Sequence, residues 1–280
     1  MRILLFGGFG LLGYDLNKAF ISSGFEVYRF NSRELDLLNT DSVERYLDSL
    51  KPDYIVNAAG YTNVGEAELN FDAAFQGNVL TIHSLIKCIK NRDIPLVHFS
   101  TDYIFNGKKE MPYSEADFAD PINKYGWSKY TSENLIISNL SKYYIVRTSG
   151  LFGSHGKCFP YTILQKLIEG NELRVVSNQV ASPTYTVDLS QAVVSLLKAP
   201  YGIYHYSNEG AVSWYDYAVA IAELSGKNKL TSKIIPVEEG FDHVMRPQFS
   251  VLNTDKIQNV LSISIRNYKQ ALQEYLQFIK

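Results

Sequence analysis

Residues 3–13 read Ile3-Leu4-Leu5-Phe6-Gly7-Gly8-Phe9-Gly10-Leu11-Leu12-Gly13, four apolar residues in a row and then glycines at 7, 10 and 13. A short continuous apolar run halted by glycine is the pattern of a strand buried on both faces. The residues that follow, Leu11 to Ser23, read as a helix closed by Gly24. Glycines at every third position between strand and helix meet three needs of a dinucleotide pocket. They permit a tight turn, let backbone approach a pyrophosphate, and bring the helix close to the sheet. The phosphate then rests on amides at a helix N-terminus. An ordinary strand–helix turn is the alternative, but it does not require three glycines in this register. Gly7, Phe9, Gly10 and Gly13 are therefore candidate cofactor residues.

Working outward, the same rhythm continues. Glu26 to Phe30 reads as a strand and Asp41 to Leu50 as a helix capped by Thr40 or Asp41. Tyr54-Ile55-Val56 is a buried strand, Asn70 to Arg92 carries helical periodicity, and Leu96 to Phe99 is a strand started by Pro95. Tyr125 to Asn139 is helical and Tyr143 to Arg147 is a strand. This alternation predicts an α/β fold, a doubly wound parallel sheet of the Rossmann-like kind, with ligands at the carboxyl ends of its strands. After Arg147 the pattern changes. Gly150, Gly153 and Gly156 predict a loop over a site between Thr148 and Pro160. Leu173-Arg174-Val175-Val176 and Gly202-Ile203-Tyr204-His205-Tyr206 differ from the first half. The expected division is a dinucleotide-binding domain over 1–149, to which some later segments return, and a smaller, mainly substrate-binding domain over 150–280.

Composition narrows the function. Of 280 residues, 46% are hydrophobic and 13% aromatic, enough for a filled core. The net charge of −2 comes without a basic stripe, so nucleic acid is not an expected partner. Cys88 and Cys158 show neither metal-ligand nor disulfide spacing. Cys88 reads as a small buried hydrophobe, whereas Cys158 falls in a Gly-containing loop that leaves burial or exposure open and places no base beside it. The five histidines lack ligand spacing, so no metal is expected, and His98 reads as a strand or core residue. The N-terminus lacks the order of a signal peptide, and no apolar run reaches the ~20 residues that span a bilayer. A cytoplasmic protein with no membrane partner is expected.

Tyr125-Gly126-Trp127-Ser128-Lys129 carries the chemistry. Tyr and Lys four residues apart share one face of a helix. A free phenol titrates near ~10, and a neighbouring ammonium is expected to pull it toward working pH. Thr101, from a different strand, can hydrogen-bond the same substrate oxygen. Joined to the glycine turn, this pair suggests hydride chemistry on a carbonyl. Cofactor choice lies at the end of the second strand, where an acid would hold the ribose of NAD and a cation the 2′-phosphate of NADP. The chain reads Val27-Tyr28-Arg29-Phe30-Asn31-Ser32-Arg33, with no acid at the tip. This favours NADPH, with NADH still open; either arginine can also be a solvated surface charge. Asp36 and Leu37 either line the adenine pocket, or Asp36 caps the following helix.

Together these motifs resemble an extended short-chain dehydrogenase/reductase, and other segments narrow the likeness to the dTDP-4-dehydrorhamnose reductase family. The segments are Asn57-Ala58-Ala59-Gly60-Tyr61-Thr62, Ser100-Thr101-Asp102-Tyr103-Ile104-Phe105, Tyr125-Gly126-x-Ser128-Lys129 and Arg147-Thr148-Ser149. Ser182-Pro183-Thr184, Gly202-Ile203-Tyr204-His205, Ser213-Trp214-Tyr215-Asp216-Tyr217 and Arg246-Pro247 follow in order, so the likeness spans nearly the whole chain. The resemblance implies reduction of the 4-keto group of a nucleotide-linked 6-deoxy-hexulose, the last step toward activated L-rhamnose. It implies Tyr125 as proton donor, Lys129 as the residue that lowers its pKa and holds the nicotinamide ribose, and Thr101 as a hydrogen-bond partner of the keto oxygen. By the same resemblance Gly10, Leu11 and Leu12 match the pyrophosphate turn. Ala58, Ala59 and Tyr61 pass beside the cofactor, with Gly60 and Ser100 among the cofactor candidates. Asp102 matches a sugar-contacting position, and Thr62 and Tyr103 join it as substrate candidates. Arg246 reads as a diphosphate clamp or as a surface arginine at a turn.

One position departs from the family. A Trp commonly follows Arg-Thr-Ser and packs on the sugar; here Gly150 stands there. Phe152 or Trp127 is expected to fill the gap, or the sugar differs in shape. Rival readings are an epimerase or 4,6-dehydratase built on the same motifs, although Tyr103 stands where a dehydratase needs a second acid. A non-catalytic regulatory subunit resembling the β subunit of methionine adenosyltransferase is a further alternative. Monomer and homodimer both stay open.

Overall fold

The structure, a computed structural model, describes residues 1–238 and 244–279. The first half runs β1 (Arg2–Phe6), α1 (Leu11–Ser22), β2 (Glu26–Phe30), α2 (Thr40–Leu50), β3 (Tyr54–Asn57), α3 (Val64–Leu69), α4 (Phe71–Ala74), α5 (Thr81–Ile89), β4 (Leu96–Thr101), α6 (Lys124–Asn139) and β5 (Tyr143–Thr148). The second half runs β6 (Leu151–Phe152), α7 (Phe159–Ile168), β7 (Leu173–Val176), β8 (Val180–Ala181), β9 (Thr184–Tyr185), α8 (Thr186–Leu196), β10 (Gly202–His205), β11 (Val212–Ser213), α9 (Trp214–Leu224), β12 (Ile234–Val237), α10 (Asp255–Leu261) and α11 (Tyr268–Phe278).

Six strands form one parallel sheet in the order β10-β5-β4-β3-β1-β2. Alternation along β1 sorts its side chains between two cores. Ile3 and Leu5 join Val56, Val97, Leu16 and Leu189 on the face covered by α1 and α8. Leu4 and Phe6 join Ile55, Ile145, Val43 and Ile82 on the face covered by α2 and α5. Both faces are thus dry, and each fully buried aliphatic side chain contributes about 1.5–3 kcal/mol. A second lobe, built around Phe152, Leu164, Tyr217, Ile221 and Tyr275, sits beyond the strand ends. The chain reaches it through β6 and returns in α8 and β10, which complete the sheet layer.

Three expectations change. The run 70–92 is not one helix: after α4 the chain widens into a π-helical stretch, Phe75–Leu80, before α5 begins. Asn78 explains the wider turn, because its side chain brackets Tyr61 with bonds to both backbone groups. The cap of α2 is Asn39, whose Oδ1 accepts from the Ser42 amide at 3.1 Å. The 148–160 segment contains β6, paired in parallel with β9. Cys158 is buried, with Sγ 3.2 Å from the Tyr275 hydroxyl. Among the described residues no helix is long and apolar enough to cross a membrane.

Candidate active site

At the carboxyl end of β1 the glycines do distinct work. Gly7 has φ +73°, and a Cβ there would lie 2.5 Å from the Ala59 nitrogen. A Cβ on Gly13 would lie 2.0 Å from the Gly7 carbonyl oxygen. The turn therefore seats α1 against itself and against the Ala58–Ala59 segment at distances only glycine allows. Gly10 occupies the N-cap without a side-chain cap, so the first-turn amides of α1 open onto the cleft at the positive end of the helix dipole. The cleft, of about 450 Å³, is lined by Gly10, Leu11 and Leu12, by Ala58 to Thr62, and by Ser100, Thr101, Tyr125 and Lys129. Ser100 Oγ on its wall is buried and has no hydrogen-bond partner among the described residues. A pyrophosphate cradle without Cβ atoms and an orphaned hydroxyl beside it fit a bound dinucleotide.

The sequence-predicted cofactor residues divide. Arg29 stacks its guanidinium over the Phe9 ring of the turn, 4.2 Å from the centroid. Ser32, Arg33 and Asp36 lie on the exposed segment after β2 and do not line the cleft. The Asp36 carboxylate accepts from the Leu38 amide at 3.0 Å, which makes a local turn instead of a helix cap. Leu37 is buried in the core beneath α2. Asn78 belongs to none of the sequence motifs. It holds Tyr61 and donates to Ser128 Oγ at 2.8 Å, tying the cofactor segment to α6. Its position after Gln76 and Gly77 in a stretch of helical periodicity gives no sequence signal.

Thr101 ends β4, and Tyr125 and Lys129 occupy successive turns of α6, all three bordering the cleft. Asn123 caps α6, accepting from the Gly126 amide at 2.8 Å. Gly126 is required here because a Cβ would fall 2.2 Å from the Tyr103 carbonyl oxygen. Burial pushes the Tyr125 phenol up to about 12; a hydrogen bond with the Thr101 hydroxyl opposes this, and the Asp102 carboxylate adds to it. The expected downward pull of Lys129 does not prevail. Burial also brings Lys129 down to about 8, against the pull of Glu133. The phenol thus keeps its proton at neutral pH and yields it only to a stronger base, such as a developing alkoxide.

Behind α6, Glu133 receives Arg147 through Nε at 3.1 Å and Nη2 at 2.8 Å, both residues buried. This pair fastens α6 to β5. Asp102 is also buried. Its carboxylate accepts from the hydroxyls of Thr101 at 3.1 Å, Ser149 at 3.0 Å and Ser250 at 2.5 Å. Burial raises it to about 6, and the three hydroxyls hold it down.

A smaller cavity of about 190 Å³ adjoins the cleft and shares Thr62, Thr101, Asp102, Tyr125, Ser149 and Gly150 with it. Gly150 adopts φ +52°, and a Cβ there would lie 3.6 Å from the Trp214 ring. Trp214 therefore supplies the aromatic wall that Gly150 lacks. Phe152 does not, being fully buried in the second lobe, nor does Trp127, which is 52% exposed and does not line the cavity. A third cavity, about 490 Å³, continues past Trp214 and Tyr103. Phe159 lines it together with the cationic side chains of Lys166, Arg174 and Arg246, and Arg246 hydrogen-bonds Tyr103. Rings beside cations suit a nucleoside diphosphate.

A dinucleotide cleft that meets a sugar-sized cavity at a Thr/Tyr/Lys trio defines an oxidoreductase of the short-chain type. Comparison with known proteins carries this further. The RmlD substrate binding domain family matches residues 1–280. The chain is 38% identical over 276 residues to the spore coat polysaccharide biosynthesis protein SpsK of Bacillus subtilis, covering 99% of this chain and 97% of that protein. It is 34% identical over 284 residues to the dTDP-4-dehydrorhamnose reductase of Aggregatibacter actinomycetemcomitans, covering 97% of each. The crystal structure of the Bacillus anthracis dTDP-4-dehydrorhamnose reductase in complex with NADP superposes with a TM-score of 0.93 at 30% identity, covering 99% of this chain and 98% of that one. The chain belongs to the dTDP-4-dehydrorhamnose reductase family.

Proposed function

We propose that this protein reduces the 4-keto group of a nucleotide-linked 6-deoxy-hexulose, converting dTDP-4-dehydro-L-rhamnose to dTDP-L-rhamnose with NADPH. The observation that carries the reading is the position of Tyr125, which lines both the dinucleotide cleft and the sugar-sized cavity. A nicotinamide cofactor, when bound, supplies the hydride. Thr101 orients the keto oxygen, and Tyr125 delivers its proton as negative charge develops there. Lys129 stands one turn away to stabilise the phenolate left behind. Trp214 walls the hexose, while Arg246, Arg174 and Lys166 receive the diphosphate. The NADP complex of the Bacillus anthracis relative supports a nicotinamide cofactor, and the absence of an acid at the β2 tip favours NADPH over NADH.

The test is NADPH oxidation with dTDP-, GDP-, CDP- and UDP-linked 4-ketosugars, using Tyr125→Phe as control. Turnover with the dTDP sugar is expected to exceed that with the others. Tyr125→Phe is expected to lose about 10²–10⁴ in kcat while binding NADPH normally. Near-normal turnover in the variant would remove Tyr125 as the acid. Silence across all four sugars would overturn the reading.

A further inference from the structure

Behind Lys129 lies a side chain that the reaction does not use. His98 on β4 is 1% exposed and stands in register with Asn57 on β3. The Asn57 Oδ1 accepts from the Ala59 amide at 3.1 Å, which fixes the orientation of that carboxamide. Its Nδ2, a donor only, therefore faces His98 Nδ1 at 3.3 Å. Burial and the charge of Lys129 hold the imidazole well below its ordinary pKa, so the ring is neutral. With Nδ1 accepting, the single ring proton sits on Nε2.

Nε2 lies 3.1 Å from Lys129 Nζ. A protonated Nε2 donates, and an ammonium can only donate. The contact is a hydrogen bond when the amine is neutral. It is otherwise one only after the ring moves its proton to Nδ1 and gives up the bond from Asn57. His205 shows the contrast, because its Nδ1 donates to the Tyr113 carbonyl at 3.0 Å and its Nε2 accepts from Arg147 at 3.3 Å. Of the two buried histidines among the described residues, the one behind Lys129 alone carries the conflict.

We propose that His98, locked by Asn57, is a positioning residue that couples the charge on Lys129 to its own tautomer. The proposal builds on the reduction assigned above only for what Lys129 does; the coupling itself belongs to the protein alone. Charging the amine costs the Asn57 bond, so His98 favours the neutral amine and holds it in line. The other ionisable groups near Lys129 are Tyr125 and Glu133 on α6, with Asp102 beyond Thr101. Glu133 favours the ammonium, but Arg147 from β5 engages both of its carboxylate oxygens. Burial, opposed by Glu133, brings Lys129 down to about 8, so the amine beside Tyr125 changes charge in the range where the His98 tautomer responds to it.

Nitrogen-15 NMR of the full-length protein labelled at histidine, with His98 assigned through His98→Gln, tests the coupling. The Nε2–H tautomer is expected above pH about 8, giving way to Nδ1–H as Lys129 charges below it. In Lys129→Met the ring is expected to stay Nε2–H at every pH. In Asn57→Asp, whose carboxylate keeps the Ala59 bond and accepts from Nδ1–H, the ring is expected to stay Nδ1–H. Charging of Lys129 in that variant should then move upward by about one pH unit or more. A single tautomer across the range in the unaltered protein, or an unchanged response in Lys129→Met, would overturn the proposal. Neither cofactor nor sugar enters the measurement, so its outcome is separate from that of the reductase assay.

Discussion

Asp102 shows how one buried group sets the electrostatics of the site. Its carboxyl titrates about 6, above its ordinary 3.8, because burial outweighs three hydroxyl donors. A carboxyl raised in the folded state adds stability that is complete below its unfolded pKa and is lost as pH rises through the folded value. Asp102 therefore costs stability above pH about 6. Asp102→Asn is expected to remove that dependence, leaving the variant more resistant to melting at pH 8 by about 1–3 kcal/mol and little different near pH 4. Thermal melts across this range check it, and parallel pH profiles for the two proteins would contradict it. At this scale the sequence was informative where chemistry and spacing coincide, as at Thr101, Tyr125 and Lys129, which the fold brings to one cleft. Burial was not legible: the lysine was expected to lower the phenol, whereas desolvation raises it. His98 read as a core residue, and it is one, but its contact with Lys129 arises from the register of β3 against β4.

Elements explain which distant residues meet. Ser213 caps α9 by accepting from the Asp216 amide at 3.0 Å, and the helix then begins with Trp214. This start, held beside β8 by the β11 pairing, aims the ring at the Gly150 turn. The gap at Gly150 was visible in the sequence, but the side chain filling it was not, because it arrives from another element on a separate strand pairing. Trp214→Ala is expected to raise KM for the sugar nucleotide about tenfold or more and to leave KM for NADPH unchanged. Equal effects on both substrates would instead assign Trp214 a general structural role. The helix over 70–92 failed for a related reason. Periodicity reports the buried face, whereas the π-helical turn at Phe75–Leu80 follows from the bonds of Asn78 to Tyr61 and Ser128.

Across the whole molecule, the chain passes repeatedly between the sheet layer and the second lobe. β6 and α7 lead out, α8 and β10 return, α9 leads out again, and α11 finishes in the second lobe. The first 150 residues were legible because strand and helix alternate there. The later ones were not, because two-residue strands such as β6, β8 and β9 carry no periodicity. Such interleaving is expected to give one cooperative thermal transition, raised several degrees by NADPH at about a hundredfold excess over Kd and less by NADH. Two transitions, or an equal response to the two cofactors, would contradict this. The central claim is hydride delivery to C4 of the sugar with Tyr125 supplying the proton. It is tested most directly with NADPH carrying deuterium at the transferred position of its nicotinamide and dTDP-4-dehydro-L-rhamnose as acceptor. One deuterium at C4 of the product per NADPH oxidised is expected. Deuterium at another carbon, or an isomerised sugar with no net oxidation of NADPH, would contradict the account.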